Sequence, residues 1–137
     1  LVEIAARAMG PAGSTTGIAA GTGHDQVDLL VDAFDGAEGI GPLLGGHYQF
    51  QADAMVLYLP VLVSGRVEAL ADAGVLDGLE SVGGYAFVPR VGDEVAPTLD
   101  LTQILAKVYL AHRDRAVFER DWAAIRAMED RLQPTVS

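Results

Sequence analysis

Glu3 and Arg7 place an acid and a base on the short apolar run that opens the sequence, LVEIAAR. Val2 and Ile4 alternate with Glu3, and this period of two predicts a strand. Glu3 then faces away from Val2 and Ile4, and Arg7 follows where the strand gives way to a loop. A carboxylate and a guanidinium in this arrangement can bind a hard cation and a phosphate oxygen at neighbouring points. An edge-strand salt bridge is the simpler interpretation of this stretch alone, and both interpretations stay open here.

A glycine-rich stretch covers residues 9–23. Its glycines let the backbone approach a ligand closely, and the hydroxyls of Ser14 and Thr15 can donate hydrogen bonds. One interpretation is a loop that lies over a substrate and contacts it through Gly10, Ser14 and Thr15. The other is an ordinary connector with a short helix over Thr16–Ala20. The stretch matches neither the phosphate-loop pattern nor the dinucleotide-binding pattern.

The composition limits the classes of function. The chain has 137 residues, enough for one domain with a hydrophobic core. Its formal net charge of −10 has the wrong sign for holding a phosphate backbone, so we expect no nucleic-acid partner. The absence of cysteine rules out disulfides, thiolate nucleophiles and zinc–thiolate sites. The longest apolar run, Ala54–Val63, is too short to cross a bilayer, and no targeting signal is evident. We therefore expect a cytoplasmic protein with no membrane partner.

Two amphipathic helices are predicted from period-3.6 patterns. The first covers residues 25–34, where the apolar positions fall at i, i+3, i+4 and i+7. The second follows Asp114, which we expect to cap it, and runs to about Leu132. His24 precedes the first helix, and we interpret it as a loop or capping residue rather than a metal ligand. The apolar positions of the first helix are Val27, Leu30, Val31 and Phe34.

A long strand region is predicted over His47–Val63. From Ala54 onward both faces of this strand are apolar, which indicates a sheet that is covered on both sides. Pro60 cannot donate to a ladder, so it marks an edge, a bulge or the end of the strand. Ser64-Gly65 then predicts a tight hairpin turn into the next residues, and a short helical turn is predicted within residues 67–74.

Two further strands are predicted, over Leu79–Val88 and over Ile104–His112, with a turn between them at residues 89–93. For a chain with these elements we expect an α+β fold, with a mostly antiparallel sheet and flanking helices. His112, Asp114 and Ser64 do not indicate a hydrolase triad, because the sequence lacks a G-x-S-x-G elbow.

In this order, the motifs resemble the C-terminal part of an ATP-grasp carboxylate–amine ligase. The run LVEIAAR is similar to that family's E-x-N-x-R strand, and is nearer to the E-I-G-A-R form of its amino-acid and dipeptide ligases. The run GTGHDQVDLLVDAF is similar to the helix that follows it, and VPRVGDEVAPTLD resembles a P-G-D-x-V segment. The resemblance implies the C-terminal lobe of the ATP-grasp fold. It also implies that residues 1–137 are a single domain, the C-terminal portion of a longer protein.

The resemblance also implies a chemistry. Glu3 matches the family's metal-binding glutamate and would bind Mg²⁺. Arg7 matches the arginine that steadies the acyl phosphate and the species formed from it. Ala5 stands where many members have asparagine, which leaves the number of bound cations open. ATP would be a co-substrate held mostly by N-terminal ATP-grasp segments absent from this chain, and the substrates would be a small carboxylate and an amine.

Two alternatives to a ligase remain at this point. The chain is either a non-catalytic, ATP-grasp-derived domain that serves in binding or assembly, or an unrelated small α+β enzyme that uses the glycine-rich loop. Neither the acid, the amine nor the oligomeric state is specified, and a homodimer is left open.

Overall fold

The computed structural model describes residues 15–35 and 50–137. In these residues short helices accompany two antiparallel sheets, so the predicted α+β class is confirmed. No helix in these two ranges is both long enough and apolar enough to cross a membrane. The elements are α1 (Thr15–Thr22), α2 (Gln26–Asp35), β1 (Asp53–Pro60), β2 (Gly65–Ala69), α3 (Gly74–Asp77), β3 (Val82–Phe87), β4 (Glu94–Val95), β5 (Ile104–His112), α4 (Arg115–Ala127), a 3₁₀ turn (Glu129–Leu132) and β6 (Thr135–Val136).

The first sheet has the strand order β1-β5-β3, with β5 at its centre. The strand predicted over Ile104–His112 is confirmed with those bounds. β1 runs antiparallel to β5 from the pair Asp53–His112 onward, and its register shifts between Leu59 and Pro60. Pro60 is also the last residue of the strand, as predicted. The predicted start at His47 is too early, because the described residues 50–52 are not in the strand.

One face of this sheet carries the hydrophobic core. In β1, Leu57 and Leu59 are buried on this face, while their neighbours Val56 and Tyr58 are only half-buried. The opposite face is partly covered, because α1 packs on it at Ala54, so the prediction of a sheet covered on both sides is right in part. The core also includes residues of α3, β5, α4 and the 3₁₀ turn, namely Leu76, Leu105, Ala106, Val108, Leu110, Ile125 and Leu132.

β3 forms the other edge of the first sheet. It was predicted within Leu79–Val88, and the structure confirms it over Val82–Phe87. Tyr85 and Phe87 lie on one face, as expected for a spacing of two, and their rings meet edge-to-face with centroids 6.4 Å apart. Both side chains pack against the core.

The second sheet has the order β4-β2-β6 and corrects two predictions. Ser64-Gly65 is not a hairpin turn, because β2 leaves β1 and pairs with β4 and β6 instead. Gly65 has φ +139° and lies so close to the last strand that a Cβ would be 2.5 Å from the carbonyl oxygen of Ser137. The helical turn predicted after Val67 is wrong as well, since strand pairing takes these residues and α3 begins only at Gly74.

Both predicted amphipathic helices are present. α2 (Gln26–Asp35) begins and ends one residue after the predicted range 25–34, and the carboxylate of Asp25 accepts a hydrogen bond of 2.7 Å from the Val27 amide. α4 begins after Asp114, whose carboxylate accepts from the Ala116 amide at 2.8 Å, so the predicted cap is confirmed. α4 ends at Ala127, and the 3₁₀ turn continues the predicted range to Leu132.

Candidate functional site

Most of the residues predicted to carry chemistry lie outside the described residues. These are the predicted metal ligand Glu3, the predicted catalytic Arg7, and the predicted substrate contacts Gly10 and Ser14. Thr15, the third predicted contact, is the first residue of α1. The geometry that bears on this site is therefore the way the structure fixes α1.

α1 is held against the first sheet by a close backbone approach. It contacts β1 and β5, and a Cβ placed on Gly21 would lie 2.6 Å from the Cβ of Ala54. The carbonyl of Gly21 accepts a hydrogen bond of 2.7 Å from the amide of Gln51. Only a residue without a side chain permits this packing, so Gly21 fixes the helix on the sheet. Thr15 lies six residues before Gly21 in this helix, which places it about 9 Å from the anchor along the helix axis.

The junction between α1 and α2 is a compact turn. Gly23 has φ +77°, a conformation that favours glycine, and its amide donates to the Ala19 carbonyl at 2.7 Å, which ends α1. The Thr22 hydroxyl donates to the carbonyl of His24 at 2.9 Å. His24 is thus a loop residue between two helices, as predicted. These hydrogen bonds define the turn between the two helices.

A cleft of about 400 Å³ lies at the C-terminal end of α1. Arg113 contributes a cation to its wall and has no ion pair with any described residue. Gly21 and Thr22, at the carbonyl end of α1, line the same cleft, and the carbonyl end of a helix favours a positive charge. The residues that line the cleft are Gly21, Thr22, Phe50, Gln51, Ala52, Asp53, Ala54 and Arg113.

A second cleft, of about 330 Å³, lies beside β4 and the start of β5. Thr98 ties its walls together, because its hydroxyl oxygen accepts from the Val61 amide at 2.8 Å while its own amide donates to the Val61 carbonyl at 3.0 Å. The same hydroxyl donates to the carbonyl of Gln103. The cleft is lined by Val61, Val88, Pro89, Asp93, Glu94, Val95, Ala96, Thr102, Gln103 and Ile104.

No group of three or more His, Cys, Asp or Glu side chains suited to a metal ion occurs among the residues of 15–35 and 50–137. This part of the chain does not fit a self-contained magnesium site, and the predicted role of Glu3 stays a prediction. His112 contacts the backbone of Asp114, with Nδ1 3.0 Å from the Asp114 amide nitrogen. The Asp114 carboxylate caps α4 and does not orient this imidazole.

Asp121 is a buried charged residue that the sequence analysis did not single out. Its side chain is fully buried, and its Oδ2 accepts a hydrogen bond of 2.8 Å from the Ser81 amide. Arg120 donates to Oδ1 of Asp121 at 2.8 Å and also contacts Glu80 at 2.9 Å. Burial opposes ionisation, but these hydrogen bonds outweigh it and hold the pKa of Asp121 below its ordinary value. The carboxylate therefore ties α4 to the start of β3.

A sequence signal for Asp121 did exist. Val117, Asp121 and Ile125 follow one another at a spacing of four, so an aspartate occupies the apolar stripe of α4. A charged side chain on a core-facing stripe requires a hydrogen-bonded partner. The sequence does not identify that partner, since Ser81 lies forty residues away.

The comparisons with known proteins agree with the fold just described. An L-amino acid ligase from Bacillus licheniformis has a similar structure over 96% of this chain, with a TM-score of 0.72 and 19% sequence identity. The similar region makes up 31% of that ligase chain. No protein-family model matches the sequence, and no curated protein matches it.

At this level of sequence identity the similarity concerns the fold. It confirms, at the level of the fold, the predicted resemblance to part of an ATP-grasp carboxylate–amine ligase. The protein described here therefore has the fold of slightly less than one third of an L-amino acid ligase.

Proposed function

We propose that this chain is the C-terminal portion of an ATP-dependent carboxylate–amine ligase that acts through an acyl-phosphate intermediate. The observation that carries the proposal is the structural similarity to an L-amino acid ligase over 96% of the chain. The order of motifs agrees with it, since LVEIAAR, the glycine-rich stretch and α2 follow one another as in the resembling family. The chain spans only 31% of that ligase, so we assign ATP binding largely to other segments of the protein.

In this proposal the opening strand supplies two groups to the reaction. Glu3 is a ligand of Mg²⁺, which draws charge from the phosphates of ATP during transfer. Arg7 donates hydrogen bonds to the acyl phosphate and stabilises the charge that develops when the amine attacks. Gly10, Ser14 and Thr15 contact the substrate from the stretch that leads into α1. The close packing of Gly21 on Ala54 supports this placement, because it holds the far end of the same helix in a fixed position.

The test uses the full-length protein that carries this chain. We expect release of ADP and phosphate that requires Mg²⁺ and increases when L-amino acids are added as both acid and amine. Hydroxylamine traps an acyl phosphate as a hydroxamate, so hydroxamate formed from the acid and ATP would report the intermediate directly. Turnover of ATP that is independent of any carboxylate would contradict the proposal.

Substitutions at the two proposed site residues separate their roles. Glu3→Gln should abolish Mg²⁺-dependent turnover and leave the fold intact, while Glu68→Gln, at an exposed glutamate of β2, should leave turnover unchanged. Arg7→Ala should lower kcat by about 10²–10³, because its contact strengthens as charge develops. Arg131→Ala, at an exposed arginine outside the site, is its control. A change confined to KM would assign Arg7 to substrate binding alone.

The second candidate function is a non-catalytic, ATP-grasp-derived binding or assembly domain. If the full-length protein folds, binds no ATP and forms no hydroxamate with any amino acid, the ligase proposal fails and this candidate replaces it.

A further inference from the structure

Gly21 brings the backbone of α1 into direct contact with the first sheet. The residue is buried, and a Cβ built on it would lie 2.6 Å from the Cβ of Ala54 and 3.0 Å from the carbonyl oxygen of Ala52. Neither of these atoms can swing aside, because a Cβ and a carbonyl oxygen move only when the backbone moves. A side chain at position 21 would therefore separate the helix from the strand.

The sheet beneath this contact is fixed by hydrogen bonds on both sides of β5. Ala54 of β1 pairs with Ala111 of β5, and the amide of Ala111 donates a hydrogen bond of 2.8 Å to the carbonyl of Ser81, just before β3. Because three segments of chain are joined at this level, we expect the sheet to stay in place when a Cβ is added to Gly21. The helix is the element that moves.

The C-terminal end of α1 is also held at Gln51. The Gln51 amide donates to the Gly21 carbonyl at 2.7 Å, and a Cβ on Gly23 would lie 2.2 Å from the side-chain nitrogen of Gln51. These contacts lie at one end of the helix, and Thr15 lies at the other, about 9 Å away along the axis. Since α1 is one short helix, a displacement at Gly21 also displaces Thr15.

From this geometry we propose that Gly21 is a positioning residue for the amino-acid substrate. Its lack of a side chain sets how closely α1 packs on the sheet, and this distance sets the position of Thr15, a proposed substrate contact. The inference rests on the proposed function and extends it to a residue at the opposite end of the helix. Gly21 touches neither the substrate nor the metal and acts only through the placement of α1.

The proposal predicts which kinetic constant changes. In the proposed function, Glu3 binds Mg²⁺ and other segments of the protein bind most of ATP, and neither contact belongs to α1. A shift of α1 should therefore weaken the use of the amino acid and leave the KM for ATP and the requirement for Mg²⁺ unchanged. A loss of folded protein has a different effect, because it lowers the apparent kcat and leaves every KM unchanged.

The test measures hydroxamate formation by the full-length protein over a range of amino-acid concentrations. Gly21→Ala should lower kcat/KM for the amino acid by about 10–10²-fold, mainly through KM, because small errors of placement have large effects on rate. Gly78→Ala is the matched control, since no atom lies within 4 Å of the added Cβ, and it should leave all constants unchanged. Circular dichroism measures how much of each variant is folded.

A second substitution tests whether the contact with Ala54 is the cause. Gly21→Ala/Ala54→Gly removes the Cβ that the new side chain meets, so the KM for the amino acid should return toward the wild-type value. The recovery should be partial, because the 3.0 Å contact with the Ala52 carbonyl remains. Ala54→Val enlarges the same contact from the side of the sheet and should also raise the KM, which keeps the proposal testable if Gly21→Ala does not fold.

The outcomes distinguish this inference from the proposed function. A wild-type protein that forms no hydroxamate with any amino acid contradicts the ligase assignment, and the positioning role is lost with it. A wild-type protein that forms hydroxamate, together with an unchanged KM in folded Gly21→Ala and in Ala54→Val, overturns the positioning role alone. A raised KM that Ala54→Gly does not reduce overturns it as well, because the contact with Ala54 would then not be the cause.

Discussion

Replacing Asp121 by alanine should destabilise the protein more than any other loss of a single carboxylate described above. The side chain is fully buried, and it satisfies the Ser81 amide at 2.8 Å where β3 begins. In Asp121→Ala the amide of Ser81, a residue that is only 1% exposed, loses its acceptor. Arg120 is half-exposed, so solvent and Glu80 can accept its hydrogen bonds after the change.

The size of this loss of stability follows from the hydrogen bond between the Asp121 carboxylate and the Ser81 amide. A hydrogen bond between an amide and a charged acceptor contributes about 1.5–3 kcal/mol. The contact with Arg120 adds less, because the guanidinium side is 55% exposed and solvent screens its charge. Removing the buried carboxylate also removes its desolvation cost, but the lowered pKa shows that the native contacts outweigh that cost. We therefore expect the free energy of unfolding to fall by about 2–3 kcal/mol. For a domain of this size the Tm should fall by roughly 10 °C.

Urea unfolding followed by circular dichroism measures this loss as a shift of the transition midpoint at constant slope. Glu119→Ala is the matched control, because Glu119 is an exposed carboxylate of the same helix whose partner is Arg115. It should change the unfolding free energy by less than about 0.5 kcal/mol. If Asp121→Ala also stayed within that limit, the carboxylate would not hold α4 to β3 and the reasoning above would be refuted.

Two further predictions concern pH and packing. The pKa of Asp121 is lower in the folded state than in the unfolded state, so its contribution is complete above the unfolded pKa of about 3.9 and disappears as the pH falls through the folded pKa. The wild-type unfolding free energy should therefore fall more steeply than that of Asp121→Asn in acid titrations below pH 4, and parallel curves would exclude this linkage. Gly21→Ala forces a Cβ to within 2.6 Å of the Cβ of Ala54 and should cost about 1–3 kcal/mol in urea unfolding. Gly78→Ala, where no atom lies within 4 Å of the new Cβ, should be nearly neutral or stabilising; equal effects at the two positions would contradict the close packing of α1.

Patterns within short segments predicted the helices and strands whose formation depends mainly on the residues of those segments. The alternation in Ile104–His112 gave the central strand with its bounds, and the period of 3.6 together with Asp25 and Asp114 gave both long helices. The hairpin predicted at Ser64-Gly65 was wrong, because the strand that follows these residues does not pair with the strand that precedes them. β2 pairs with β4 and β6, and nothing in the local sequence specifies those distant partners.

The candidate site depended on a resemblance instead of on periodicity. A strand pattern places Glu3 and Arg7 next to each other, but it does not distinguish a salt bridge from a magnesium and phosphate site. The order of the motifs, through the family resemblance, favours the magnesium and phosphate site, and this role of Glu3 and Arg7 stays a prediction. For the buried Asp121, the sequence showed the spacing with Val117 and Ile125. It did not show the hydrogen-bond partner, Ser81.

The pairing of β2 with β6 has a consequence for how the second sheet assembles. Val67 pairs with Val136, about 70 residues later along the chain, and the amide of Ser137 donates to the carbonyl of Arg66 at 3.1 Å. Contacts this distant in sequence form slowly, because the intervening loop must close first. During synthesis β2 is therefore made about 70 residues before β6, and one of its edges stays open to other chains until β6 can pair with it.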